Sequence, residues 1–167
     1  MAASSSTSRA PIGHPPRGRV AKHAATPARF GANQGDFAAF LHMAPMSQRR
    51  TIADGFDATI VERVARDLLG VSVQSLLTSL SLPSSTILRK IAKEDRLSQS
   101  ESDRLARVLY VHQLAAEVFE DDTRAAEWMN RGNVELDGHK PIEVLDVQPG
   151  YDRVRDILNR AQFGVAA

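Results

Sequence analysis

The feature that most constrains the fold is a series of apolar stripes with helical spacing, which begins near residue 57 and continues to the C-terminal end. The first stripe consists of adjacent apolar pairs that recur every four residues, as one face of a helix requires: Ile60, Val61, Val64, Ala65, Leu68 and Leu69. Aromatic residues make up only 5% of the chain, and β-branched residues are not concentrated in short alternating runs. The sequence therefore predicts an all-α fold.

Capping residues divide this pattern into successive helices. Asp57 is the expected N-cap of the first helix, and Gly70 its C-terminal stop. Ser72 caps a second helix whose inward residues are Val73, Leu76, Leu77 and Leu80. After the turn at 81–83, a third helix begins near Ser84 or Ser85 and carries the apolar residues Ile87, Leu88, Ile91 and Ala92.

The C-terminal half continues in the same way. Ser98-Gln99-Ser100-Glu101 has the form of a capping box and opens a long fourth helix that extends to about Glu120. Asp121 or Asp122 caps a fifth helix, which Gly132 ends, and Pro141 opens a short one. The last helix follows Pro149-Gly150, with Gly138 and Gly150 interpreted as turn residues, and Gly164 ends it.

Residues 1–50 differ from the rest of the chain. They are rich in Ser, Ala, Pro, Gly and Arg, hold seven basic residues and one acidic residue, and show no sustained period. We expect a mostly disordered basic tail here, with a short helix possible around 37–46. Residues 117–167, in contrast, hold six basic and eleven acidic residues, so the two ends of the chain have opposite charge.

The second and third predicted helices, joined by a short turn, have the arrangement of a helix-turn-helix. In that arrangement the N-terminal part of the second helix meets base edges, and basic residues near its end neutralise phosphates. The residues predicted to contact DNA are Ser84, Ser85, Thr86, Arg89, Lys90, Lys93 and Arg96. Spacing alone leaves a second interpretation open, namely a helical scaffold with a solvated charged face.

The sequence contains no combination of residues that is typical of an enzyme active site. The chain has no Cys, no pair of His residues at metal-binding spacing, no phosphate-binding glycine loop and no nucleophile elbow. His112 is expected to be a packed or surface residue of the fourth helix, and Trp128 an anchor of the fifth. We therefore predict neither catalytic residues, nor a metal site, nor a cofactor, nor a membrane span, and we expect a cytoplasmic protein.

A more specific indication comes from the order of short motifs in the second half of the chain: Leu97-Ser98, Glu101-Ser102, Arg104-Leu105, Ala115 to Phe119, Trp128, Leu136-Asp137-Gly138, Pro141, Gly150 and Phe163-Gly164-Val165. This order resembles the Xre/MbcA/ParS-like antitoxin family of RES–Xre toxin–antitoxin modules. The resemblance implies an Xre-like helix-turn-helix domain at 51–114 and a toxin-binding domain at 115–167, with the tail at 1–50 outside it.

The resemblance also implies a function. It implies a type II antitoxin that blocks the active site of a RES-type, NAD-consuming toxin or a ParT-like ADP-ribosyltransferase, and that represses its own promoter. The expected assembly is a homodimer within a hetero-oligomeric complex. The toxin-contacting residues are expected on the last helix and the terminal peptide: Tyr151, Val154, Arg155, Leu158, Phe163, Gly164, Val165, Ala166 and Ala167. The alternatives are a helix-turn-helix regulator without a toxin partner and a structural or adaptor protein.

Overall fold

The computed structural model describes residues 30–31 and 35–164, and these residues form helices and connecting turns without a β-strand. One isolated antiparallel bridge joins Asp57 to Arg96. The helices are α1 (Asp36–Leu41), α2 (Pro45–Asp54), α3 (Ile60–Arg63, continued by a π-helical turn at Val64–Leu68), α4 (Val73–Ser79), α5 (Ser84–Ala92), α6 (Gln99–Phe119), α7 (Asp122–Met129) and α8 (Gln148–Gln162). Short 3₁₀ turns lie at Val134–Leu136 and Pro141–Val144. The all-α prediction is confirmed.

The predicted boundary of the N-terminal tail at residue 50 comes too late. Both α1 and α2 lie wholly or mostly before it, and Phe40 of α1 is fully buried. The Phe40 ring lies 5.0 Å from that of Phe30, 5.4 Å from that of Phe56 and 5.6 Å from that of Tyr110 on α6. Burial of this aromatic cluster fixes α1 to the rest of the molecule, so the segment is ordered before residue 50. The remainder of the predicted tail, residues 1–29 and 32–34, lies outside the described residues.

Local capping chemistry sets most of the other boundaries as predicted. The Ser72 side chain accepts a hydrogen bond from Ser75 N, and Asp121 accepts one from Arg124 N. The capping box at α6 is complete, because Ser98 Oγ accepts from Glu101 N while Glu101 accepts from Ser98 N. Gly70 ends α3 with φ +63°, a value that favours glycine.

Helix α6 is the centre of the molecule. It buries residues along most of its length, including Leu105, Leu109 and Ala115, and helices α1, α2, α7 and α8 pack on it. His112, also on α6, is only 4% exposed. Burial lowers the pKa of its imidazole, although the nearby Asp122 carboxylate partly opposes this. The neutral form is therefore favoured, which agrees with a packed histidine.

Gly150 is not the turn residue that the sequence predicted. It lies inside the first turn of α8, and a Cβ atom built there would lie 1.9 Å from the carbonyl oxygen of Val144. The residue is glycine because α8 and the 3₁₀ turn at Pro141–Val144 approach too closely for a side chain. Gly138, with φ +82°, is a turn glycine as predicted.

Candidate functional site

The turn between α4 and α5 is held from outside the two helices. Ser81 adopts φ +51°, the left-handed conformation that glycine usually takes in such turns. The Arg104 guanidinium of α6 donates to the carbonyl oxygens of Leu80 and Ser81 at 3.0 and 2.8 Å. The Ser81 hydroxyl donates to Asp146 at 3.1 Å, which links the turn to the C-terminal part of the chain. These bonds fix the angle at which α5 leaves the turn.

Helix α5 presents a polar, basic face to solvent. Ser85, Arg89 and Lys93 are exposed, while Ser84 and Thr86 are half-buried. The Ser84 hydroxyl accepts a hydrogen bond from the Gln74 side chain of α4 at 3.1 Å. Ser85 is therefore the exposed side chain of the first turn of α5, and an anion near this helix end would be favoured by the helix dipole.

Lys90 and Arg96, also predicted to contact DNA, have partners within the protein. The Lys90 ammonium donates to Glu101 Oε2 at 2.6 Å, and both side chains are largely buried. The Arg96 guanidinium donates to the carbonyl oxygens of Asp54 and Gly55 at 3.1 and 3.2 Å. The structure thus places these two residues where they hold α5 and the following loop to the rest of the molecule, and not on the free face.

Burial of Glu101 alone would raise the pKa of its carboxyl group. The hydrogen bonds from Lys90 and from the Ser98 backbone N–H outweigh that effect, so the pKa lies below its ordinary value of 4.5. Glu101 therefore carries its charge at neutral pH and keeps Lys90 turned away from solvent.

One apolar residue of α5 lies on its exposed face. Leu88 was grouped with the apolar residues of this helix, but its side chain is 46% exposed, whereas Ile87 beside it is fully buried. An apolar stripe gives the buried direction only to within about one residue in a short helix, so the sequence pattern could not separate the two. Ala92, in the same group, is exposed as well.

The predicted toxin-contacting residues of α8 divide into two faces. Val154 and Leu158 are buried in the core, so they support the helix and are covered in this structure. Tyr151 is half-buried, with its ring 5.4 Å from the Arg155 guanidinium carbon and 5.9 Å from that of Arg107. Burial raises the pKa of Tyr151. Arg155 itself is exposed and remains available to a partner.

The end of α8 carries an ion-pair cluster beside exposed apolar side chains. Glu135, in the 3₁₀ turn Val134–Leu136, pairs with Arg153 at 3.1 Å and also with Arg160. Phe163 is 74% exposed and Val134 is 91% exposed. Gly164 follows with φ +62°, and Val165, Ala166 and Ala167 lie outside the described residues. The sequence did not single out Val134, since a single apolar residue in a loop produces no periodic signal.

Trp128 of α7 is half-buried and lies with its ring 5.9 Å from that of Phe119. It packs against the hydrophobic core, as expected for an anchor of that helix. Among the described residues no group of three or more His, Asp or Glu side chains could hold a metal ion. No helix in the described part of the chain is long and apolar enough to cross a bilayer.

Comparison with known proteins finds a family match for each of two successive domains of the chain. Residues 47–110 match the antitoxin Xre-like helix-turn-helix domain, and residues 114–164 match the antitoxin Xre/MbcA/ParS C-terminal toxin-binding domain. The antitoxin Xre of Pseudomonas putida is 29% identical over 108 residues, which are 64% of this chain and 65% of that protein. The antitoxin Xre of Yersinia enterocolitica is 25% identical over 126 residues, which are 72% of this chain and 84% of that protein.

The match to the P. putida protein spans slightly less than two thirds of that relative. The two domain matches, however, follow each other directly and together extend from α2 to the end of α8. The chain belongs to the Xre/MbcA/ParS-type antitoxin family.

Proposed function

We propose that this protein is the antitoxin of a type II toxin–antitoxin pair and is not an enzyme. Its C-terminal domain would bind and silence the toxin, and its helix-turn-helix domain would bind the promoter of its own operon and repress it. The observation that carries the proposal is the direct succession of the two matched domains on one chain.

The C-terminal surface supports a protein partner. Phe163 and Val134 are exposed apolar side chains at the end of α8 and in the neighbouring 3₁₀ turn, and Tyr151 and Arg155 belong to residue types that dominate protein interfaces. The excess of acidic residues over 117–167 would favour encounter with a basic, anion-binding site. A RES-type toxin or a ParT-like ADP-ribosyltransferase, both acting on NAD, is the partner that fits this chemistry.

The basic face of α5 supports DNA as the second ligand. Arg89 and Lys93 point to solvent beside Ser85, while no acidic residue occurs between positions 84 and 93. Since helix-turn-helix proteins bind two half-sites as dimers, we infer a homodimer within the complex with the toxin.

The test is to express this protein together with the product of the adjacent gene. We expect that product alone to arrest growth, and co-expression to restore growth through a complex that survives purification. Deleting residues 163–167 should abolish rescue and leave promoter binding intact, because α8 itself ends at Gln162. Arg89→Ala should do the opposite, so each variant serves as the control for the other.

A harmless neighbour that forms no complex would contradict the antitoxin proposal and favour a transcriptional regulator without a toxin partner. A stable complex that the deletion does not weaken would contradict the role of the terminal peptide, and would leave the rest of the C-terminal domain as the contact.

A further inference from the structure

The exposed face of α5 contains one large apolar side chain. Leu88 is 46% exposed and, among the described residues, it is the only large hydrophobic side chain of α4 or α5 that is this open to solvent. Leu88 and Arg89 follow Ser85 by three and four positions, so both lie beside Ser85 on the exposed side of the helix. A single exposed leucine is common on proteins, and exposure alone indicates no ligand.

The packing of α5 fixes the direction of Leu88. Ile87 is fully buried on the inner side, and Lys90 is tied to Glu101 at 2.6 Å. Because both neighbours of the Leu88–Arg89 pair are fixed to the core, α5 cannot rotate to bury Leu88 without breaking one of these contacts. The leucine is thus held in the middle of the outward face.

The surroundings of Leu88 match one class of ligand. Arg89 and Lys93 are cationic and exposed, no acidic residue lies between 84 and 93, and Ser85 in the first turn of the helix is exposed. In a helix-turn-helix, this outward face lies in the major groove. The major groove presents one apolar group to a protein, the C5 methyl of thymine. Among the polar groups in this groove, arginine prefers the O6 and N7 acceptors of guanine.

We propose that Leu88 is a specificity-determining residue of the DNA site: it packs on a thymine methyl group in the major groove, next to the base pair that Arg89 contacts. The inference rests on the proposed DNA binding and adds the chemical group that the helix recognises. A 5-methylcytosine in the same place would satisfy the same contact, whereas cytosine or uracil would not.

The test uses the DNA segment upstream of the protein's own gene, prepared once with thymidine and once with deoxyuridine, which lacks only the methyl group. The full-length protein should bind the uracil-containing DNA about fourfold more weakly for each methyl group that Leu88 covers. Leu88→Ala should bind the thymine-containing DNA more weakly by a similar factor and should no longer distinguish the two DNAs. Arg89→Ala, the matched control, should lose affinity for both and keep their ratio.

Equal binding of both DNAs by the unsubstituted protein would overturn the proposal, as would an unchanged ratio for Leu88→Ala. A change in the oligomeric mass of Leu88→Ala with an unchanged ratio would assign the residue to a contact between copies, which also overturns it. Binding of neither DNA by the unsubstituted protein would instead overturn the proposed DNA binding itself. Circular dichroism of each variant verifies that the exposed substitution leaves the fold intact.

Discussion

Gly150 shows how one residue can position the whole C-terminal helix. The carbonyl oxygen of Val144 lies where a Cβ atom at position 150 would be, at 1.9 Å. The close approach lets α8 pack directly on the 3₁₀ turn at Pro141–Val144, with Val154 and Ile157 facing the core. A side chain at 150 would push these two segments apart.

We therefore expect Gly150→Ala to destabilise the protein by about 1–3 kcal/mol, the range for forcing an extra group into a packed site. Thermal unfolding measures the effect, and for a chain of this size the midpoint should fall by roughly 2–12 °C. Gly35→Ala is the matched control, because a Cβ there meets no atom within 4 Å. Equal midpoints for the two variants would contradict the close-contact interpretation.

For single residues, the sequence predicted the conformations that depend only on the residue and its neighbours along the chain. Gly138 and Gly70 have positive φ values and lie at turn positions, as their place between helical stripes suggested. Gly150 and Leu88 were misjudged because the deciding atoms, the Val144 carbonyl and the packing around Ile87, belong to the folded structure and not to the local pattern.

For whole helices, too, local sequence signals were predictive and packing between distant segments was not. The helices that begin at a hydrogen-bonding cap, such as Ser72, Ser98 and Asp121, were located correctly. Helices α1 and α2 begin after Gly35 and Ala44, neither of which caps the helix with a side-chain hydrogen bond. The short helix expected around 37–46 corresponds to α1, whereas most of α2 was assigned to the tail, because its packing against α6 leaves no pattern in the local sequence.

The attachment of α5 to α6 depends on the Lys90–Glu101 pair. Each partner is mostly shielded from water, at 21% and 11% side-chain exposure. Removing one charge leaves the other without a partner in a site that solvates it poorly. We expect Lys90→Met to lower the free energy of unfolding by about 1–3 kcal/mol at neutral pH.

The pH dependence of this loss of stability tests whether it arises from the missing charge partner of Glu101. In the unsubstituted protein the lowered pKa of Glu101 contributes stability that is present above 4.5 and is lost as the pH falls through the folded-state value. Lys90→Met removes the lowering that is due to Lys90, so the pKa of Glu101 should lie higher than in the unsubstituted protein, and the difference in stability between the two proteins should shrink below pH 4.5. Urea unfolding across this range measures it, with the exposed Lys93→Met as control. A pH-independent difference would indicate lost packing and not a lost charge partner.

At the scale of the whole molecule, the boundary between the two matched domains falls inside a single helix. One match ends at residue 110 and the next begins at 114, both within α6. One cluster of buried side chains extends from Phe40 to Leu158 without interruption. Arg107 of α6 also donates to the Leu145 carbonyl oxygen at 3.3 Å, and Ser81 donates to Asp146, so polar contacts join the two parts as well.

A continuous core predicts that the described part of the chain unfolds in one step. Leu76 of α4 is fully buried, and Leu76→Ala should cost about 2–5 kcal/mol.

Trp128 is the single tryptophan of the sequence and lies on α7, far along the chain from α4, so its fluorescence reports on the other domain. If the two domains share one cooperative transition, Leu76→Ala should lower the fluorescence midpoint and the circular dichroism midpoint by the same amount, roughly 4–20 °C. Val134→Ala, at a site 91% exposed, should move neither. A fluorescence midpoint that stays in place while the circular dichroism curve divides into two steps would show instead that each domain unfolds independently.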